Sequence, residues 1–511
     1  MPSLARPLCL VLAACVAGCE PAPPRERLDD HALHVQVQQL ASLASEASLL
    51  TRELEAHHLD AAFAWVHQQA LAQEARDASA GVAQPAPERL QPAQHEAMLL
   101  AADLQTQLAR IADTQHDAPA LQALRSRFDA GAKFGYALLW AVLVGTIGIA
   151  VYGEMSGRIA AVLQKPTMNI VQERLGQRTA IVVLIASVAI NVLTCAAEIG
   201  GLAVILQLLG AQRFQGMVVV AAAFLLAAVY VLPFRWIERV FGLLGLPLLV
   251  YAVAAVALGP DWHEAARGLL PSLPSGDSPG LAMYLYFTVG ILSSILMPYE
   301  IYFYSSGGIE EDWTPKELPV NKLTAGIGFL LGGVLCMALI LVGALLFQPL
   351  GIAPQSLGTT VFGASVPLGR IGFAVALVGI FFAIGGAAVE TALSAAYNVT
   401  QFYNVPWGKR RKPREVPFFT ACWIAALLLG LAIASSGINP AQVVEYAVLF
   451  AVVVLPFTYY PVLRLADDRE AMGKHVNAGV IRWLGWIYLV LICVVAVAAV
   501  PLMILTHNGQ G

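Results

Sequence analysis

The chain has 511 residues, of which 58% are hydrophobic and only 13% charged, and its formal net charge is −4. Soluble globular chains carry about 25% charged residues, so this composition excludes an ordinary soluble domain. The near-neutral balance without a basic stripe argues against nucleic acid as a partner. Mean hydropathy is +0.68, as expected of a chain whose main partner is a lipid bilayer.

Residues 1–19 contain Arg6, an apolar run from Leu8 to Ala17, and then Val16-Ala17-Gly18-Cys19. That run is too short to cross about 30 Å of hydrocarbon and suits a signal-peptide core. The small residues before Cys19 resemble a lipobox, which makes Cys19 the expected lipidation site and Glu20–Pro24 a tether. An ordinary signal peptide with an incidental cysteine is the alternative.

Residues 20–130 form a polar extracytoplasmic segment, with Leu33, Val37, Leu40, Leu43, Leu50 and Leu54 on one helical face. The prolines between Gly81 and Pro92 interrupt the pattern, and further amphipathic helices are expected over His95–Ile111 and Pro119–Phe128. A small exported helical hairpin or bundle follows. Seven of the ten histidines lie here, including His31, His34, His58 and His67. Metal capture is one reading of them, and solvated histidines on a polar bundle is the expected one. No cysteine lies between Cys19 and Cys195, so the segment has no internal disulfide framework.

Ten apolar segments follow within residues 131–511, at about 134–153, 179–205, 216–234, 240–258, 281–303, 325–347, 369–396, 417–435, 443–463 and 482–505. Each is long enough to cross as a helix, so the fold class is all-α, a polytopic membrane bundle. If Phe134 enters from outside, one set of loops receives Arg158, Lys165, Arg174, Arg178, Arg235, Arg239, Lys316, Lys322, the basic run Lys409–Arg414, Arg464, Arg469 and Lys474. The other set receives little more than Arg213, Arg267 and Arg370. The positive-inside rule then puts the exported segment and the C-terminus on the periplasmic side of a bacterial inner membrane.

Carboxylates at lipid depth are costly and mark functional pathways. Glu198 and Glu390 sit among small residues that permit close helix packing. Glu154 reads as interfacial, and Glu445 lies near a boundary. In the fifth span, Ser293-Ser294-Ile295-Leu296-Met297-Pro298-Tyr299-Glu300 predicts a helix break near Ser294, because Pro298 removes a backbone donor. Met297 beside it offers a soft thioether suited to transition metals, against the plainer reading of a proline kink with a core methionine.

These residues resemble the natural resistance-associated macrophage protein (Nramp) family of metal-ion transporters. Met297-Pro298-Tyr299-Glu300 with Ser305-Ser306 is similar to the family's Met-Pro-His segment. Phe134–Tyr136 through Tyr152–Arg158 resemble its second helix, and Ala197-Glu198-Ile199-Gly200-Gly201 its third-helix acidic motif. Glu390-Thr391-Ala392-Leu393-Ser394 and Leu455-Pro456-Phe457 match its eighth and tenth helices. The resemblance covers about 131–505 and implies a LeuT-type inverted repeat, with Met297 and the Ser294 carbonyl as metal ligands and Glu198 on the proton pathway. The chain departs from the family in lacking the Asp-Pro-Gly-x-Asn motif of its first helix, and Tyr299 replaces the family histidine. Glu300 and Glu390 are then expected to compensate at the cation, and a separate chain supplying the missing helix is a possible partner.

The expected function is proton-linked transport of manganese or iron, the metal being substrate and no cofactor being implied. A non-transporting receptor or scaffold, or a carrier of another small solute on the same fold, are the alternatives. An enzyme is not expected, because no P-loop, nucleophile elbow, HExxH or dinucleotide glycine motif occurs.

Overall fold

The computed structural model describes residues 28, 30–111, 132–210, 213–272, 280–354, 357–436 and 440–506. Cys19, the expected signal segment and the helix expected over Pro119–Phe128 lie outside them. Among the described residues every regular element is helical.

Three helices, α1 (Asp30–Glu55), α2 (Ala61–Val82) and α3 (Gln91–Ile111), pack as a small bundle. The apolar face read over Leu33–Leu54 belongs to α1, and a second helix, α2, precedes the proline stretch. The chain reverses at residues 56–60, where His57 adopts a left-handed φ of 56° and Asp60 takes the extended N-cap conformation. Leu40, Leu43 and Leu50 of α1 bury against Phe63, Leu71 and Ala75 of α2 and Ala101, Leu104 and Leu108 of α3. His67 corrects the expectation of solvated histidines, being only 1% exposed and held 3.0 Å from Glu46.

Nine helices are long and apolar enough to span a membrane among the described residues, ten if a bent pair counts as one. They comprise α4 (Leu139–Leu163), α5 (Gln177–Gly210), α6 (Phe214–Val231), α7 (Phe234–Gly245) running on through a 3₁₀ turn into α8 (Val250–Ala257), α9 (Leu281–Ile295), α10 (Pro298–Glu310), α11 (Leu318–Val342), α12 (Leu357–Phe402), α13 (Pro417–Ala434), α14 (Pro440–Ala466) and α15 (Gly479–Leu505). Helices α9 and α10 together make one span. The 46-residue α12 is kinked at Gly369 (φ 62°), just after Pro367. Its first part, Leu357–Leu368, lies in what reads from sequence as a loop.

Helix α5 is central and packs against α6, α12, α13 and α14, while α4 packs against α9, α10 and α11. Glycines set the closest approaches of α4. A Cβ on Gly145 would lie 3.1 Å from Ile295, and one on Gly148 would lie 2.8 Å from Tyr488 and 3.1 Å from Leu296. The backbone of α4 is thereby held against the end of α9.

The loops that carry the basic residues converge on one face. Arg174 pairs with Glu470 at 3.3 Å, Arg410 pairs with Asp312 at 3.3 Å, and Asn169 donates to the Gln401 carbonyl at 2.6 Å and to Asn404 at 2.7 Å. On this face Glu154 is more than interfacial. It is 9% exposed and receives Arg158 Nε at 3.0 Å and Nη2 at 3.1 Å, while Arg158 also donates to Asn477. The α1–α3 bundle sits at the opposite end, where Ala353 N donates to Ser42 Oγ at 2.8 Å.

Two stability measurements check this packing. Gly148→Ala is expected to cost about 1–3 kcal/mol through overpacking and to lower the thermal midpoint in detergent. Gly290→Ala, whose Cβ would meet nothing within 4 Å, should leave the midpoint unchanged or raise it. Arg158→Met strands a buried carboxylate and should cost about 3–5 kcal/mol, with Glu154→Gln added to it recovering much of the loss.

Candidate functional site

The fifth span breaks as its sequence requires, two residues beyond Ser294. Helix α9 ends at Ile295, Leu296 leaves helical geometry (φ −92°, ψ 47°), Met297 is extended (φ −67°, ψ 127°), and α10 begins at Pro298. Proline has no N–H, so the Ser294 carbonyl loses the donor it would have in a continuous helix. The Ser294 hydroxyl turns back to the Ile291 carbonyl at 3.0 Å. The C-terminal end of α9 presents partial negative charge at the break, which suits a cation.

Met297 is 9% exposed and packs with Tyr299, Ile190 of α5 and Ala451 of α14. The thioether therefore faces protein rather than acyl chains. Glu300 is half-buried in the first turn of α10, where a carboxylate also complements the helix N-terminus. It is electrostatically close to Tyr459 of α14.

Around the break, α10 is pinned on several sides. Ser156 Oγ of α4 donates to the Ile301 carbonyl at 2.7 Å, and Tyr302 Oη donates to the Thr458 carbonyl at 3.1 Å. Ser305 accepts from the backbone and hydroxyl of Thr167 at 2.9 and 2.8 Å, and Ser306 accepts from Gln401 at 2.9 Å. The Ser305-Ser306 pair is thus a brace.

Beside the break, α5 and α12 surround Glu198, marked already in the sequence, with further polar groups that sequence reasoning did not single out, Ser187, Asn191, Thr194 and Asn398. Ser187 Oγ, both amide atoms of Asn191, Thr194 Oγ1 and Glu198 Oε2 on α5 are buried without a hydrogen-bond partner. So are Ser394 Oγ and both amide atoms of Asn398 on α12, and Tyr459 Oη on α14. Buried polar atoms left unpaired cost about 1–3 kcal/mol each, so such a concentration marks a pathway for water or a hydrated ion. The spacing 187, 191, 194, 198 puts the four on one face of α5, a pattern readable in an otherwise apolar span.

Thr391 of α12 lies within hydrogen-bonding reach of Cys195, one turn from Glu198. Thr391 therefore approaches α5 directly. Glu390, half-buried, sits about 100° further round α12. Among the described residues no three His, Cys, Asp or Glu side chains come together as a metal site. A cation at the break would rest on the Met297 sulfur and backbone carbonyls as much as on carboxylates. Glu445 lies in α14 with its side chain outside the described residues.

Comparison with known proteins fits this geometry. The divalent metal cation transporters MntH of Deinococcus radiodurans and Bacillus subtilis are 26% and 24% identical to the chain, each alignment spanning 72% of it and 83% and 85% of the relative. MntH 1 of Pseudomonas aeruginosa is 27% identical over 70% of the chain and 82% of its own length. Among solved structures, an Eremococcus coleocola manganese transporter superposes with a TM-score of 0.58 at 18% identity, covering 74% of this chain and 83% of that one, which shows a shared fold. The model of the natural resistance-associated macrophage protein-like family matches residues 123–501, and the chain belongs to that family of membrane metal-ion transporters.

Proposed function

We propose that the chain carries manganese or iron across the inner membrane of a bacterium, with protons moving through Glu198, and with the α1–α3 bundle and the C-terminus on the periplasmic side. The observation that carries this reading is the break at Leu296–Met297, enclosed by α4, α5 and α14, with unpaired polar groups alongside. The Met297 thioether and the Ser294 carbonyl are the proposed ligands. Glu300 and Glu390 supply negative charge, because a desolvated dication needs opposing charge nearby. The thioether favours a transition metal over magnesium or calcium. In this reading a separate chain supplies the family's first helix. The names of the relatives support metal transport, and the choice between manganese and iron and the coupling to protons are this proposal's own.

A receptor or scaffold derived from a transporter is the second reading, favoured by the firm seat of the α1–α3 bundle on the membrane domain. One assay separates the two. Proteoliposomes holding the protein should take up radioactive manganese faster than empty vesicles, and faster with an inward proton gradient. Loss of a ligand worth about 1.4 kcal/mol corresponds to about tenfold in affinity, so Met297→Ala should raise the manganese KM by about that factor. Glu198→Gln should abolish the gradient dependence with a smaller effect on KM. Uptake no better than empty vesicles would leave the receptor reading in its place.

A further inference from the structure

The α1–α3 bundle is joined to the membrane domain through a built junction. Glu46 of α1 and His67 of α2 lie 3.0 Å apart, carboxylate oxygen to ring nitrogen, each side chain 1% exposed. Thr359, at the start of α12, donates its hydroxyl to the same Glu46 oxygen. The ring of His67 meets Phe362 edge-on at 5.1 Å, and Phe63 of α2 meets Phe362 at 6.3 Å and Phe373 at 5.0 Å. Gly358 makes room for this seat, since a Cβ there would lie 2.1 Å from His67 Nδ1. Ser42 accepts from the backbone of Ala353 at 2.8 Å, and α2 also packs on α5.

A buried carboxylate and imidazole are costly to desolvate, and such groups are best attested where they fix one arrangement over others. Here the pair lies where three separate segments meet, and its third partner belongs to the membrane domain. The part of α12 that it grips, Leu357–Leu368, is set off from the rest by the Gly369 kink. Beyond that kink the same helix carries Thr391, Ser394 and Asn398 alongside α5.

We propose that the α1–α3 bundle is a tethered cap, latched by Glu46, His67 and Thr359 onto the first segment of α12, and that unlatching lets this segment swing about Gly369 and opens the break to the capped face. The inference rests on reading the region between the break, α5 and α12 as the ion pathway. The cap is part of the chain, so its local concentration at the seat is high and its release is a local opening rather than a dissociation.

The test uses full-length protein with Cys195, Cys336, Cys422 and Cys493 changed to alanine and a reporter Leu193→Cys beside Met297. A clamp pair, Ser42→Cys with Ala353→Cys, is oxidised or reduced. A membrane-impermeant maleimide is then applied from each side in turn, and its attachment at position 193 alone is read by mass spectrometry of that peptide, so that the clamp thiols and Cys9, Cys15 and Cys19 do not contribute. Labelling from the capped side should be about tenfold slower in the oxidised clamp than in the reduced one, and Glu46→Ala without the clamp should label at least as fast as the reduced protein. Labelling from the basic-loop side should not follow the clamp. Equal capped-side rates in oxidised and reduced protein overturn the cap, and they do so whether or not Glu46→Ala folds. Manganese uptake by the same samples keeps the two readings apart. Clamp-dependent labelling without uptake in either state sinks transport and leaves the cap standing. Uptake with clamp-independent labelling does the reverse.

Discussion

A backbone carbonyl that faces hydrocarbon without a donor costs several kcal/mol, and lipid offers none. The interruption at Leu296–Met297 is consequently tolerable only because protein surrounds it. Much of the architecture reads as that enclosure. The glycine face of α4 lets its backbone close on Ile295 and Leu296, α5 and α14 cover Met297, and Ser156, Tyr302 and Ser305 hold α10 at the angle the break leaves it. The same exclusion of lipid makes the exposed carbonyl of Ser294 and the Met297 sulfur usable, since a ligand to a partly dehydrated cation must not already be satisfied by a helix.

The polar groups alongside obey a different logic. Asn191 and Asn398 present whole amides to the interior without partners, and Glu198 presents one oxygen. A core selected for stability alone would have replaced them by leucine, because burying an unpaired amide is costly and replacing it by an apolar group is nearly neutral. Their retention next to a broken helix fits a membrane transporter of this family better than an inert anchor.

Periodicity and charge carried the reading from sequence a long way. The membrane helices, the proline break and the segregation of basic loops to one face follow from hydropathy, from the missing N–H of Pro298 and from loop composition, all local properties of the chain. The features that escaped depend on approaches between distant residues. Glu310 lies beyond the fifth apolar segment, where nothing in its neighbours singles it out, yet it receives the Tyr397 hydroxyl at 2.8 Å and the backbone N–H groups of Lys409 and Arg410. His67 reads from sequence as solvated because it is one of seven histidines in a polar segment, and only the seat on Gly358 and Phe362 explains its burial. Thr391 rather than Glu390 meets α5 because a single residue's rotation decides which side of a helix is presented, and composition does not record that angle.

The anchorage of Glu310 has a mechanical corollary. Its carboxylate fastens the end of α10 to the end of α12 and to the basic loop after it, while Gln401 grips Ser306 a turn earlier. The two helices are therefore coupled at the basic face like the hinge pin of a pair of shears. A tilt of α10 has to drag the foot of α12 along, so rearrangement at this end favours the turning of one stiff two-helix block against α4 and α5 over the independent bending of either arm.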